Sequence, residues 1–286
     1  MRIASSLLSW PRTTRDQQAQ NVWADSGFEQ IESQGIWQVR SDAQGSVRWL
    51  AADLAAEQIP QDWQVIKRSE DRYVLRVSIA GSDELWAVKG LRIRARSGWF
   101  TKAAPISDEG INQLIAHKRG IQTPKLLAQG EIRNAKGEQW LILCNQWVSM
   151  PCMRDSFLAR PSETTVEELL QRATHALRML FDAGCNHIDF GPHAILMSEQ
   201  GPTEDLIIDF EQATFKDAPC VSTLAGQLGY FGWSIATNRD WATPEQVRRW
   251  SEQVFARWGL PFSASCRQSF EKNLLARQSL RARRAR

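Results

Sequence analysis

The spacing of the apolar residues changes near residue 150, and that change sets the plan of the chain. Before it, short runs alternate apolar and polar. Tyr73-Val74-Leu75-Arg76-Val77-Ser78-Ile79 puts every second side chain on one face, the pattern of a half-buried strand. Trp63 to Lys67 and Leu85 to Lys89 flank it across the turns Ser69-Glu70-Asp71 and Ala80-Gly81-Ser82-Asp83, so the three predict an antiparallel meander. After residue 150, Val166, Leu169, Leu170, Ala173, Leu177, Leu180 and Phe181 recur at helical spacing. They predict an amphipathic helix from Thr165 to Ala183, ended by Gly184. Strands first and helices afterwards make an α+β chain.

Other elements fit between these. Ser107 to Arg119 predicts a helix with Ser107 as its N-cap, Asp108 and Glu109 favouring its positive start and Gly120 as its stop. Ile111, Leu114 and Ile115 fall on one face of it. Pro124 to Gly130 leads into a strand, and Trp140 to Cys144 is apolar enough for a buried one, with the charged turn Asn134 to Glu138 between. The order is βββαββ. Gly35 to Arg40 and Gly45 to Leu50 read as two further short strands around the turn Ser41 to Gln44. Ala194 to Met197 and Leu206 to Ile208 read as a hairpin, and the pattern from Thr243 onward is mostly helical. The expected division is residues 1–60, an N-terminal extension whose structure the pattern does not decide between a lid, a membrane contact and extra strands; 61–146, a sheet half; and 147–286, a helical half with a basic tail.

At 286 residues, with 43% hydrophobic and 23% charged, the chain is globular in composition and long enough for two cores. No apolar run approaches the ~18 residues of a membrane span, and Met1 to Pro11 is too short and Ser-rich for a secretory signal. Five cysteines with no Cys-x-x-Cys pair indicate neither a disulfide framework nor a structural zinc, and a reducing cytoplasm fits them best. The 13 tryptophans are scattered singly, as core and groove packing would place them. The net charge of +3 is unevenly placed, since Arg277, Arg281, Arg283, Arg284 and Arg286 crowd the last ten residues without an acid. That tail is either a solvated end or a contact for an anionic surface. No nucleic-acid-binding fingerprint accompanies it.

Two acids stand out. Asp189 lies in the polar loop between the long helix and the hairpin, and Asp209 directly follows an all-apolar strand. A carboxylate at the end of a buried strand is costly unless something uses it. The hairpin returns the chain to nearly the same place, so the two acids can hold Mg²⁺ and orient a nucleophile. The plainer alternative is that each caps a turn.

These residues resemble a known superfamily. His187-Ile188-Asp189, followed by Ala194, is similar to the protein-kinase-like catalytic loop His-x-Asp-x-x-x-x-Asn, and Ile208-Asp209-Phe210 to the Asp-Phe-Gly segment. Ala87-Val88-Lys89 resembles the Val-Ala-Ile-Lys strand, and Glu109 is the candidate partner of that lysine. The resemblance spans roughly residues 61–240. Within the superfamily the greatest similarity is to the bacterial lipopolysaccharide kinases of the Kdo/WaaP type. It rests on Glu109-Gly110-Ile111-Asn112-Gln113-Leu114 with Gly120-Ile121-Gln122-Thr123-Pro124, on Ile208-Asp209-Phe210-Glu211-Gln212-Ala213, and on the lack of a glycine-rich loop before Tyr73.

The resemblance implies a two-lobed protein-kinase-like fold, with an antiparallel-sheet N-lobe carrying one helix and a mainly helical C-lobe. It implies ATP and Mg²⁺ as cofactors. Lys89 would meet the nucleotide phosphates and Glu109 would hold Lys89. Asp209 would bind the metal, and Asp189 would act on the acceptor hydroxyl. His187 would fix the loop. Ala194 stands where the second metal-binding asparagine is expected, and His193 would replace it only with a shift of the loop. Glu211 replaces the glycine after Asp209-Phe210, either as a spare metal ligand or as a solvated acid. The implied acceptor is a sugar hydroxyl of the lipopolysaccharide core. The tail and Arg92, Arg94 and Arg96 would then face an anionic glycolipid or the inner membrane, from the cytoplasm. Two alternatives stay open. One is a non-catalytic pseudokinase or scaffold, and the other is a small-molecule kinase of the aminoglycoside or choline type.

Overall fold

Seven antiparallel strands form one sheet, in the spatial order Phe28–Glu32, Gly35–Arg40, Leu126–Arg133, Gln139–Gln146, Leu85–Ile93, Arg72–Ser78 and Gln64–Arg68. The structure is a computed structural model that describes residues 14–57, 60–79, 82–93, 106–159, 163–237 and 241–275. The strands are β1 (Phe28–Glu32), β2 (Gly35–Arg40), β3 (Gln64–Arg68), β4 (Arg72–Ser78), β5 (Leu85–Ile93), β6 (Leu126–Arg133) and β7 (Gln139–Gln146). With them go helices α1 (Thr14–Asp25), α2 (Gln44–Ala55) and α3 (Ile106–Lys118). The expected meander is β3-β4-β5, and β7 pairs with both β5 and β6.

Alternation along the strands gives the sheet two different faces. On one, Trp37, Val39, Leu75, Val77, Val88, Ala128, Ile142 and Cys144 pack with Val47, Leu50, Ala51 and Leu54 of α2. On the other, Leu126 and Leu143 pack with Trp23 of α1 and Leu114 of α3. The early part of the chain is therefore built into the sheet half: β1 and β2 extend the sheet beside β6, and α2 covers its back.

Two local expectations are corrected, and one element is added. Gly45 to Leu50 is not a strand but part of α2, because Val47, Leu50, Ala51 and Leu54 recur at i, i+3, i+4 and i+7 and bury one helical face on the sheet. Ser107 lies inside the first turn of α3 and not at its N-cap. Between Phe215 and Thr243 an unanticipated helix, α6 (Val221–Gly232), fills the core of the second half. The segments Met1–Pro11 and Arg277–Arg286, with Arg94 and Arg96, lie outside the described residues.

The second half contains α4 (Met153–Leu158), α5 (Glu163–Asp182), α6, α7 (Pro244–Arg257) and α8 (Ala264–Leu275). Its core joins Leu177 and Leu180 of α5, Leu228 and Phe231 of α6, Phe255 of α7 and Phe270 of α8. Thr243 and Gln246 form a reciprocal capping box at the start of α7. Four two-residue strands sit between α5 and α6. β8 (Cys185–Asn186) pairs with β11 (Thr214–Phe215), and β9 (Ile195–Leu196) pairs with β10 (Leu206–Ile207). These pairings place the 187–190 turn beside residues 208–209. No helix among the described residues is long and apolar enough to cross a membrane.

Candidate active site

Three elements converge on one ammonium group. Lys89 stands on β5, between Val74 of β4 and Leu143 of β7. Its Nζ lies 2.7 Å from Glu109 Oε2 on α3, 2.9 Å from Asp209 Oδ1 beyond β10, and 3.5 Å from Glu211 Oε2. Glu109 is almost fully buried. Asp209 has left-handed backbone angles, φ 68° and ψ 53°, which a non-glycine residue adopts at a cost that asparagine and aspartate bear best. The α3 residue Asn112 donates from Nδ2 to the Phe210 carbonyl at 3.0 Å and so ties that turn to the helix carrying Glu109.

The charge in this cluster is unbalanced. Carboxylate oxygens of Glu109, Asp209 and Glu211 lie within 4.8 Å of one another. Among the described residues, two cations face these three acids: Lys89, and Arg72 at the start of β4. Burial pushes the Glu109 carboxyl up to about 7, although Lys89 opposes the rise. Burial pulls the Lys89 ammonium down, but Glu109 and Asp209 together more than reverse this, so it stays charged. Burial pushes Asp209 up, and the Lys89 charge outweighs it, leaving that carboxyl below its usual range. Hard oxygen donors with surplus negative charge suit Mg²⁺, so the residues present fit that ion.

The turn bearing Asp189 is anchored from below. His187 is buried, with Nε2 2.9 Å from the carbonyl oxygen of Ile208 and its ring edge-on to Phe190 and Phe210. A carbonyl only accepts, so Nε2 carries the proton. Burial holds the imidazole below its usual range, despite the carboxylates of Asp209 and Asp189. Asp189 itself is half-buried, two residues along this turn. His193 lies in the short 3₁₀ turn Pro192–Ala194, where burial lowers it and Asp209 and Asp189 both raise it. His193 is not one of the three clustered metal-type ligands, and Ala194, fully buried, offers no ligand atom. Arg92 is held by Glu138 at 2.8 Å.

Two features go beyond the sequence reading. Glu211 is not a solvated acid: its side chain is 9% exposed and Arg72 grips it with both terminal nitrogens, at 2.8 and 3.1 Å. The second is Arg72 itself, which belongs to none of the motifs above. Its signal was the alternation of Arg72, Val74 and Arg76, because Val74 pairs with Lys89 and so shares its face.

Residues 109–222 match the sequence model of the lipopolysaccharide kinase (Kdo/WaaP) family. The matched stretch contains Glu109, His187, Asp189 and Asp209, while Lys89 precedes it. No curated protein matches the chain. Among solved structures, WaaP in complex with acyl carrier protein is similar over 77% of this chain and 88% of its own, at 18% identity and a TM-score of 0.47. WbdD with the kinase inhibitor LY294002 is similar over 74% of this chain and 45% of its own, at 19% identity and a TM-score of 0.41. A second WbdD crystal structure covers the same shares at 18% identity, with a TM-score of 0.44. The expected α+β, two-lobed arrangement is the one observed, and the resemblance read from the residues agrees with the family match.

Proposed function

We propose that this chain is a lipopolysaccharide-kinase-like phosphotransferase, moving the terminal phosphoryl group of ATP to a sugar hydroxyl of the lipopolysaccharide core in a Mg²⁺-dependent reaction. The observation that carries this reading is Lys89, from the sheet half, held between Glu109 of α3 and Asp209 of the helical half. The family match over residues 109–222 supports the acceptor class.

In this reading Lys89 binds the nucleotide phosphates as a point charge, and Glu109 keeps the ammonium in place. Bound Mg²⁺ supplies neutralisation of the charge on the phosphates. Asp209 would hold it, with Glu211 as a neighbouring oxygen donor. Asp189, half-buried on the turn that His187 anchors, orients the acceptor hydroxyl and takes its proton as the new P–O bond forms and the bond to the ADP oxygen breaks. His187 positions that turn through Ile208. His193, in the 3₁₀ turn that follows, would become a donor toward a second metal only if its turn moves. The arginine-rich end, Arg277 to Arg286, suits peripheral contact with an anionic membrane surface.

The test is transfer of radiolabelled phosphate from ATP to purified lipopolysaccharide core, with an aminoglycoside and choline as competing acceptors. Core labelling should fall by about 10²–10⁴-fold in Asp189→Ala while the thermal transition is kept. Unchanged turnover in that variant would remove the assignment. Ala194 favours a second reading, a nucleotide-binding scaffold without transfer. ATP binding with no labelling of any acceptor is its outcome.

A further inference from the structure

Arg72 follows the turn Ser69-Glu70-Asp71, which contains no glycine to cradle a phosphate. Because Val74 pairs with Lys89, Arg72 projects from the same sheet face as Lys89. Its guanidinium crosses from the sheet half to the helical half and forks onto Glu211, the carboxylate that also lies 3.5 Å from Lys89 Nζ. Two cations from one lobe thus share one anion from the other. The two partners differ in freedom: 43% of the Arg72 side chain is exposed, against 9% for Glu211.

We propose that Arg72 is a phosphate-binding residue of this site and that Glu211 occupies its guanidinium until a nucleotide phosphate displaces it. This rests on the phosphotransferase reading above. The planar fork that now accepts a carboxylate suits a phosphate equally well. The exchange leaves no buried charge alone, which would otherwise oppose it. Arg72 trades a carboxylate for a phosphate, and Glu211 keeps Lys89 at hand and turns its oxygens, with those of Asp209, toward a divalent cation. Arg72 thereby supplies from a side chain what glycine-rich turns supply from backbone N–H groups.

Calorimetric binding of a non-hydrolysable ATP analogue to the full chain, with and without Mg²⁺, tests this. Arg72→Ala should weaken binding of the analogue with Mg²⁺ by about 10- to 100-fold, the range for a hydrogen bond to a charged group. Arg72→Lys should recover part of that loss, and AMP, which lacks the outer phosphates, should bind wild type and Arg72→Ala alike. Without Mg²⁺, Glu211→Gln should bind the analogue more tightly than wild type, because the competing anion is gone. With Mg²⁺ that advantage should vanish. Wild type that binds the analogue no better than Arg72→Ala overturns this inference alone, as does a Glu211→Gln variant with no gain in the absence of metal. Wild type that binds no nucleotide overturns the phosphotransferase reading along with it.

Discussion

The imidazole of His187 donates to the carbonyl oxygen of Ile208 at 2.9 Å, which fastens the turn carrying Asp189 to the residue before Asp209. Replacing it by alanine leaves a part-buried carbonyl without its donor, at about 1–3 kcal/mol. We expect His187→Ala to unfold at lower urea and to lose phosphate transfer by a larger factor than that loss of stability explains. Equal transfer by folded variant and wild type would mean that the turn needs no such anchor.

Lys89 neutralises a Glu109 whose side chain is only 5% exposed. Removing one partner of a buried pair strands the other, so Lys89→Met should cost about 3 kcal/mol. Adding Glu109→Gln should restore part of it. A double-mutant cycle in urea reads this coupling directly, and strictly additive losses would contradict it.

Asp205 is fully buried between Arg172, 3.1 Å from its Oδ1, and the Ser198 amide, which donates at 2.7 Å. It pins the β9–β10 hairpin to α5, and Asp205→Ala should cost about 3 kcal/mol. Burial also raises its carboxyl above the usual range. The folded state then holds a proton that the unfolded chain has released. This residue therefore makes stability fall as pH rises just above the ordinary carboxylate range. Asp205→Asn should flatten that part of the stability–pH curve, and an unaltered slope would show that the residue titrates normally.

Gly229 of α6 faces α8 so closely that a Cβ on it would lie 2.3 Å from the Phe270 carbonyl oxygen. That oxygen is backbone, so the two helices must separate. Gly229→Ala should lower the unfolding free energy by about 1–3 kcal/mol in spite of its better helix propensity. A stabilised variant would be evidence that the helices have room.

Hydrogen bonds from Ser222 and Thr223 lower the Cys220 thiol to about 6, whereas burial pushes Cys185 up to about 12. Cys220 should therefore be the first thiol alkylated by iodoacetamide at neutral pH, with a rate that rises with pH to a midpoint near 6. Peptide mapping of the labelled chain checks this. Prior labelling of Cys185 would refute it.

Much of this architecture is legible in the residues, because local period and local stops decide it. The strands from Gln64 to Gln146, α3, α5 and the β9–β10 hairpin each carry their own pattern. Through the kinase-like resemblance that their order supports, they imply that Lys89, Glu109 and Asp209 meet. What is not legible depends on partners far along the chain. Gly45 to Leu50, rich in Val, Trp and Leu, reads as a strand in a short window; its helical face shows only when Ala51 and Leu54 are included. Gly226, Gly229 and Gly232 weaken the helix signal of α6, yet the approach of Phe270 and Val247 is what requires two of them. The grip of Arg72 on Glu211 joins residues from opposite halves, and no local pattern announces it.

The placement of β2 beside β6 has a consequence for biosynthesis. Val39 leaves the ribosome long before Ala128, its neighbour across the ladder, and α2 has no completed surface to cover in the interval. The nascent N-terminal segment must wait for most of the first half to be translated, so a chaperone binding apolar helices in that interval would set the yield of folded protein.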